Sequence, residues 1–279
     1  MTPREQEIPS DRLPEGFRDT VGEQADDPVA PRPAATVVLL RESAVGPEVL
    51  LLKRNRATGF VPGAYVFPGG RVDGSDGDGG ALACWSELDP GAASERLGLA
   101  PEAVPSAVAY YTAAVREAFE ETGLLLSEQP ILGAEKEALL ASGREALMNG
   151  AGSFVDLLEE VGAVLDGPSV EYIAHWVTPV VEPRRYDARF FAAQVPADAQ
   201  VRFDHREMTA AEWLTPSAAL ERHEGGTLPM IFPTIRTLED LSTFSSVSAL
   251  FDHFRGRDIP MILPEIVRTE RGVALRIPE

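Results

Sequence analysis

The segment Arg116-Glu117-Ala118-Phe119-Glu120-Glu121-Thr122-Gly123-Leu124 constrains this chain more than any other. It sets Glu117, Glu120 and Glu121 at positions i, i+3 and i+4. On a helix these share one face, with neighbouring Cβ atoms about 5–6 Å apart. Like charges so placed repel by roughly 0.2–0.5 kcal/mol per pair, so a helix gains nothing by crowding them. A divalent cation reverses that sign, because hard oxygen ligands are what Mg²⁺, Mn²⁺ and Ca²⁺ select. The bland alternative is a solvated acidic face. Pro105-Ser106 offers a helix start and Gly123 a left-handed C-cap. The pattern therefore predicts a helix over 107–122, with its alanines, tyrosines and Phe119 on the buried side.

Upstream lies Val66-Phe67-Pro68-Gly69-Gly70-Arg71-Val72-Asp73. Together the two segments resemble the box of the nudix hydrolases, G-x5-E-x7-R-E-U-x-E-E-x-G-U, with U apolar. Arg116, Glu117, Ala118, Glu120, Glu121, Gly123 and Leu124 meet its second half. The first half begins at Gly70, and Asp76 stands where the pattern asks for glutamate. The family runs 14 positions from that glycine to the arginine; here the two are 46 apart, an excess of 32. The branch related to the animal peroxisomal CoA and acyl-CoA diphosphatases carries a long insert at this point. Its flanks are also similar to Leu50–Arg56, Gly59–Gly63, Trp176–Pro179 and Pro183–Phe191. The resemblance covers roughly residues 34–245.

The resemblance implies an α/β fold, the nudix α/β/α sandwich with a mixed sheet, here with helical insertions and C-terminal helices. It implies Mg²⁺- or Mn²⁺-dependent hydrolysis of the diphosphate bond of CoA or acyl-CoA, giving 3′,5′-ADP and (acyl-)phosphopantetheine. Alternatives are another nucleoside-diphosphate-linked compound, such as NADH, ADP-ribose or a nucleotide sugar, and a non-catalytic ligand sensor of the same fold. The intact glutamate triplet argues against the sensor. Glu117, Glu120 and Glu121 become metal ligands, with Glu117 and Arg116 catalytic and Arg116 holding a carboxylate. Gly69 and Gly70 let the backbone turn beside the helix so that phosphates approach.

The family's glutamate at the position of Asp76 bonds the box arginine. A shorter side chain has that reach to make up, and Asp73 is its alternative. A further catalytic carboxylate is expected from Glu207, six residues before Trp213, with Glu212 as competitor and an exposed loop acid as the plain reading. His205 is a bystander or a helper. Arg54, Arg184 and Arg185 are candidates for a guanidinium fork on phosphate; Arg185 equally suits a pairing with Asp187. Phe60 and Tyr186 line an adenine or acyl pocket, or belong to the core.

The charge narrows the partners. A net charge of −19 over 279 residues argues against nucleic acid, which needs a basic stripe. An acidic enzyme must draw a polyanionic small molecule with metal ions and local arginines. No run approaches the ~18 apolar residues of a membrane span, and nothing in Met1–Asp27 reads as a signal peptide, so the expected location is cytoplasmic. A homodimer is compatible with this reading. The single cysteine, Cys84, excludes an intrachain disulfide and reads as structural.

Along the chain, residues 1–33 carry six prolines and eight acids and are expected to form a disordered leader to a nudix domain over 34–279. Strands are expected at 35–40, 48–54, 64–67, 172–177, 188–195 and 212–214. Residues 74–105 form the insertion inside the box. Its 74–80 stretch reads as a flexible acidic surface loop, since a calcium loop lacks its closing glutamate. Two helices over 134–165 form a second insertion. Helices at 216–223, 232–241 and 247–254 and a hairpin of 261–267 with 273–277 complete the expectation.

Overall fold

The computed structural model describes residues 5–8, 29–56, 62–270 and 272–278. The chain opens with strands: β1 (Glu5–Ile8), β2 (Arg32–Ser43), β3 (Gly46–Arg54), β4 (Tyr65–Val66), β5 (Gly69–Arg71) and β6 (Trp85–Ser86). Four helices follow: α1 (Pro90–Leu97), α2 (Ala107–Thr122), α3 (Ala134–Met148) and α4 (Phe154–Val161). Then come β7 (Leu165–Asp166), β8 (Val170–Val177), β9 (Tyr186–Gln194) and β10 (Met208–Leu214). The chain continues through α5 (Pro216–Glu224), α6 (Phe232–Leu241), α7 (Val247–Phe254), β11 (Met261–Ile262), β12 (Glu265–Thr269) and β13 (Gly272–Arg276).

The main sheet runs β10-β3-β2-β9-β8-β11, with β4 on β3 and β5 on β2. It is mixed, because β2 lies parallel to β9 and β8 parallel to β11. Both faces of β2 and β3 are buried, which is why they read as continuous apolar runs. Val37, Leu39, Leu50 and Leu52 meet α2 and α4 on one side. Val38, Leu40, Val49 and Leu51 meet α6 and α7 on the other. The result is the expected α/β/α sandwich.

Helix α2 keeps its predicted limits. The Ser106 hydroxyl accepts from the Ala109 amide at 3.3 Å, and Gly123 closes the helix at φ 74°. Its buried side includes Tyr110, Tyr111, Ala114 and Phe119, so the carboxylates are left on the remaining edge.

The structure changes several expectations. Backbone of the supposed leader enters a sheet: Glu5–Ile8 pairs with β13 and Arg32 already belongs to β2. Residues 9–28 lie outside the described residues, as does Phe60. The stretch 74–80, expected as a flexible surface loop, instead holds a helical turn at Gly74–Gly77 with Asp76 buried, and the rest of the insertion to 105 is folded onto the domain. Trp85 Nε1 donates to Thr112 Oγ1 of α2 at 3.1 Å, and Ala81, Cys84, Ala93 and Leu97 join the core. Burial raises the pKa of the Cys84 thiol, as suits a structural cysteine. Met261–Ile262 leaves the predicted hairpin to join β8, while Glu265–Thr269 alone pairs with β13. Pro264, which cannot donate to a ladder, separates the two. Among the described residues no helix is long and apolar enough to cross a membrane.

Candidate active site

One guanidinium organises the carboxylate face. Arg116 is 5% exposed, so each of its five N–H groups needs an acceptor. Nε and Nη2 grip Asp76 in a bidentate fork at 2.7 and 3.0 Å. Nη1 donates to Glu117 Oε1 at 2.8 Å and to Glu120 Oε1 at 2.9 Å. Nη2 also donates to the Arg71 carbonyl at 2.8 Å. All five donors are used, so Arg116 has none left for a substrate. Burial would lower its pKa, but the bonds from Asp76 and the charge of Glu117 hold it above the usual value.

Asp76 therefore does reach the arginine, and Asp73 is not its substitute. Asp76 is fully buried, and its Oδ2 also accepts the Asp73 amide at 2.8 Å. Asp73 stands 3.8 Å from Nη2 and is largely exposed. The short helical turn at 74–77 brings the aspartate in.

Glycines bring β5 against α2. A Cβ at Gly70 would lie 2.5 Å from Glu117 Cδ and 2.7 Å from its Oε2. At Gly69 it would lie 2.7 Å from the Ala35 carbonyl and 2.8 Å from Thr36 Cα. A side chain at Gly69 would collide with backbone and one at Gly70 would displace the Glu117 carboxylate, so both glycines serve close approach. The Gly69 amide donates to Glu121 Oε2 at 3.3 Å.

The carboxylates are held at a cost. Burial raises Glu117 to about 7, against the pull of Arg116 and with help from the charges of Glu120 and Asp76. Burial also raises Glu121 well above the usual range; Glu117 and Glu207 add to that rise, while Arg54 and the Gly69 amide oppose it. The side chains of Glu117 and Glu120 keep 13% and 16% of their surface open, enough for a ligand to reach them. Among the described residues no three acidic, histidine or cysteine side chains are gathered into a ready metal shell. Arg116 draws Glu117 and Glu120 to itself, and Glu121 turns to Gly69.

The fold thus unites Arg54, Gly69, Gly70, Asp76, Arg116, Glu117, Glu120 and Glu121, with Glu207 near enough for its charge to act on Glu121. The Asn55 amide, next to Arg54, donates to the Glu207 carbonyl at 2.7 Å. The buried Nε of Arg54 has no hydrogen-bond acceptor among the described residues. Other candidates lie elsewhere. Glu212 accepts Tyr65 Oη at 2.6 Å and Arg222 Nη1 at 2.5 Å. Arg185 is buried and donates to the carbonyls of Val29 and Thr178, not to Asp187, which bonds His175. Arg184 is exposed between β8 and β9, Tyr186 opens β9, and exposed His205 packs on Phe203. Sequence reasoning passed over Asn55, whose only signal is its place beside Arg54, and Arg144, which carries none.

Known proteins resemble this chain in sequence and in fold. Residues 86–241 match the model of the NUDT19 Nudix domain. The acyl-coenzyme A diphosphatase NUDT19 of Xenopus laevis is 28% identical over 83% of this chain and 70% of its own length. That of Gallus gallus is 30% identical, covering 75% and 65%. Among solved structures, a nudix hydrolase from Alicyclobacillus acidocaldarius superposes with a TM-score of 0.61 at 28% identity, over 80% of this chain and 96% of that one.

Proposed function

The chain belongs to the nudix hydrolases, in the group of the NUDT19 Nudix domain, and from that premise we propose that it hydrolyses the diphosphate bond of CoA or acyl-CoA. The products are 3′,5′-ADP and (acyl-)phosphopantetheine. Two relatives whose names state this activity support the choice of substrate. The observation that carries the reaction class is the half-buried edge of Glu117, Glu120 and Glu121 around a saturated Arg116. A sensor has no use for such a face, because three crowded acids cost stability without a cation.

The residues fit a divalent cation, Mg²⁺ or Mn²⁺, in chemistry. Every donor is a hard oxygen, and the burial that raises Glu117 and Glu121 is a penalty that a double positive charge offsets. Glu117, Glu120 and Glu121 would hold it. When bound, it supplies positive charge to the phosphoryl oxygens and acidifies the attacking water.

The chain's own residues do the rest. Arg116 fixes the rotamers of Glu117 and Glu120, so the face is preorganised. Gly70 lets the Glu117 carboxylate close onto β5, and Gly69 lets β5 lie tight on β2, so the strand turn sits against the carboxylate face that would meet the phosphates. Arg54, with a buried donor unspent, offers charge to the diphosphate. Glu207 takes a proton from the water as its oxygen bonds phosphorus and the bridging oxygen departs with the other phosphate. Incubation with CoA, acyl-CoA, NADH, ADP-ribose and nucleotide sugars, with and without divalent ion, tests the reading by mass of the products. Release of 3′,5′-ADP from CoA compounds alone supports it; hydrolysis of another member only would transfer the activity to that substrate.

A further inference from the structure

Helix α2 ends with carbonyls that lack partners within the helix. The Glu120 carbonyl is one of them, and α3 supplies its donor. Arg144 Nε and Nη2 bond it at 3.0 and 2.8 Å. The same Nη2 donates to the carbonyl of Arg202. The Arg202 amide in turn donates to the Thr122 carbonyl at 2.7 Å. One guanidinium therefore joins the end of α2 to the first residue of the stretch that leads to Glu207.

That stretch is held along its length. The Asp204 carboxylate accepts the Arg206 amide at 3.0 Å, and its carbonyl accepts the Met208 amide at 3.0 Å. At the far end Asn55 Nδ2 donates to the Arg206 carbonyl at 3.1 Å. Arg206 touches Asn149, just past α3, at 3.4 Å. Helix α3 packs Leu139, Leu140 and Leu147 partly against the core and buries no residue fully; that packing does not call for an arginine aimed at two backbone oxygens.

We infer that Arg144 is a positioning residue: by bridging the Glu120 and Arg202 carbonyls it sets the separation between the carboxylate face of α2 and the loop bearing Glu207. The inference rests on the reading that Glu207 supplies the outside carboxylate. A planar fork of several donors can span two acceptors, whereas a lysine ammonium is a compact point on a flexible stem. The second helical insertion then has a task in the reaction, although none of its residues is placed on the substrate.

The test uses full-length Arg144→Met, Arg144→Lys, Glu207→Ala and the Arg144→Met/Glu207→Ala double variant. Kinetics use whichever panel substrate turns over fastest, at saturating Mn²⁺. Metal-free protein is followed separately by hydrogen exchange. Arg144→Met should lower kcat by ~10²-fold, the effect of a displacement of about 1 Å, with little change in KM. Arg144→Lys should fall between it and the parent. The double variant should be no slower than Glu207→Ala alone, because both changes act through one group. In the metal-free protein, amides of 202–208 should exchange faster in Arg144→Met while those inside α2 keep their protection. Parental kcat and exchange in Arg144→Met would overturn the inference, as would multiplying losses in the double variant. If Arg144→Met does not fold, Arg144→Lys decides by the same two measurements. Full activity in Glu207→Ala would remove the reading of Glu207, and the functional half of this inference with it; the exchange data judge the bridge independently.

Discussion

Gly69 and Gly70 look alike in the sequence but fail differently when filled. A methyl group at Gly70 would first meet the Glu117 carboxylate, the far end of a side chain that can move aside. Gly70→Ala should therefore fold and lose activity by ~10²-fold, since a misplaced catalytic group costs about that much per ångström. At Gly69 the obstacle is β2 backbone, which cannot yield. Gly69→Ala should lose about 1–3 kcal/mol of stability as an overpacked site, read from thermal or denaturant unfolding. The two outside acids separate in the same way. Glu207→Ala should cost ~10²–10⁴ in kcat, the usual worth of a general base. Glu212→Ala should keep the parental rate, because that carboxylate is engaged by Tyr65 and Arg222. Steady-state kinetics of the pair would show the error if the order reversed.

The insertion inside the box belongs to the domain as firmly as the strands do. Its position between turn and helix suggests a removable recognition element. The structure shows instead that it delivers Asp76 to Arg116 and Trp85 to the core. Arg96 of α1 completes the attachment, bonding Glu171 at 2.9 Å, the Tyr172 carbonyl at 2.9 Å and the Phe254 carbonyl at 2.5 Å. Excising residues 74–101 should thus prevent stable folding rather than tune specificity. Losing the burial of Trp85 and Leu97 alone removes about 3–6 kcal/mol, a large part of a typical domain's stability of about 5–15 kcal/mol. Asp76→Asn, which keeps the shape but leaves the buried arginine short of charge, should cost about 3–5 kcal/mol. A soluble, cooperatively melting deletion variant would contradict this account.

For the molecule as a whole, the acid cluster links stability to pH and to metal. Burial raises Glu117 from its ordinary 4.5 to about 7 in the metal-free fold. Between those values the folded chain holds a proton that the unfolded chain has released, so stability must fall as pH rises through that window. The contribution is full below about 4.5 and gone above about 7. Its size is on the order of 3 kcal/mol if Glu117 acts alone. A divalent ion reverses the trend, because it binds the ionised face of the folded chain and competes with the proton. Melting in chelator should show stability declining from pH 5 to 7.5 relative to a Glu117→Gln variant. Added Mn²⁺ should raise the melting temperature more at pH 7.5 than at pH 5. An equal metal effect at both values would show that these carboxylates are not what the ion binds.

The sequence by itself determined the elements whose causes are local. The limits of α2 follow from Ser106 and Gly123, and the carboxylate face from the i, i+3, i+4 spacing. The buried strands β2 and β3 follow from their apolar runs, and the family from the motif. Tertiary structure decided whatever depends on reach across the chain. Asp76 and Arg116 are 40 residues apart, and only the folded insertion makes a short aspartate long enough. Glu207 and Glu212 differ by five positions on one segment, yet Glu207 is exposed and near enough for its charge to act on Glu121, whereas Glu212 is taken up by Tyr65 and Arg222. Arg185 has neighbours suited to pairing but spends itself on Val29 and Thr178 carbonyls. Arg144 lies in no motif. Its partners are backbone oxygens, which every residue carries, so no pattern of side chains could single them out before the chain had folded.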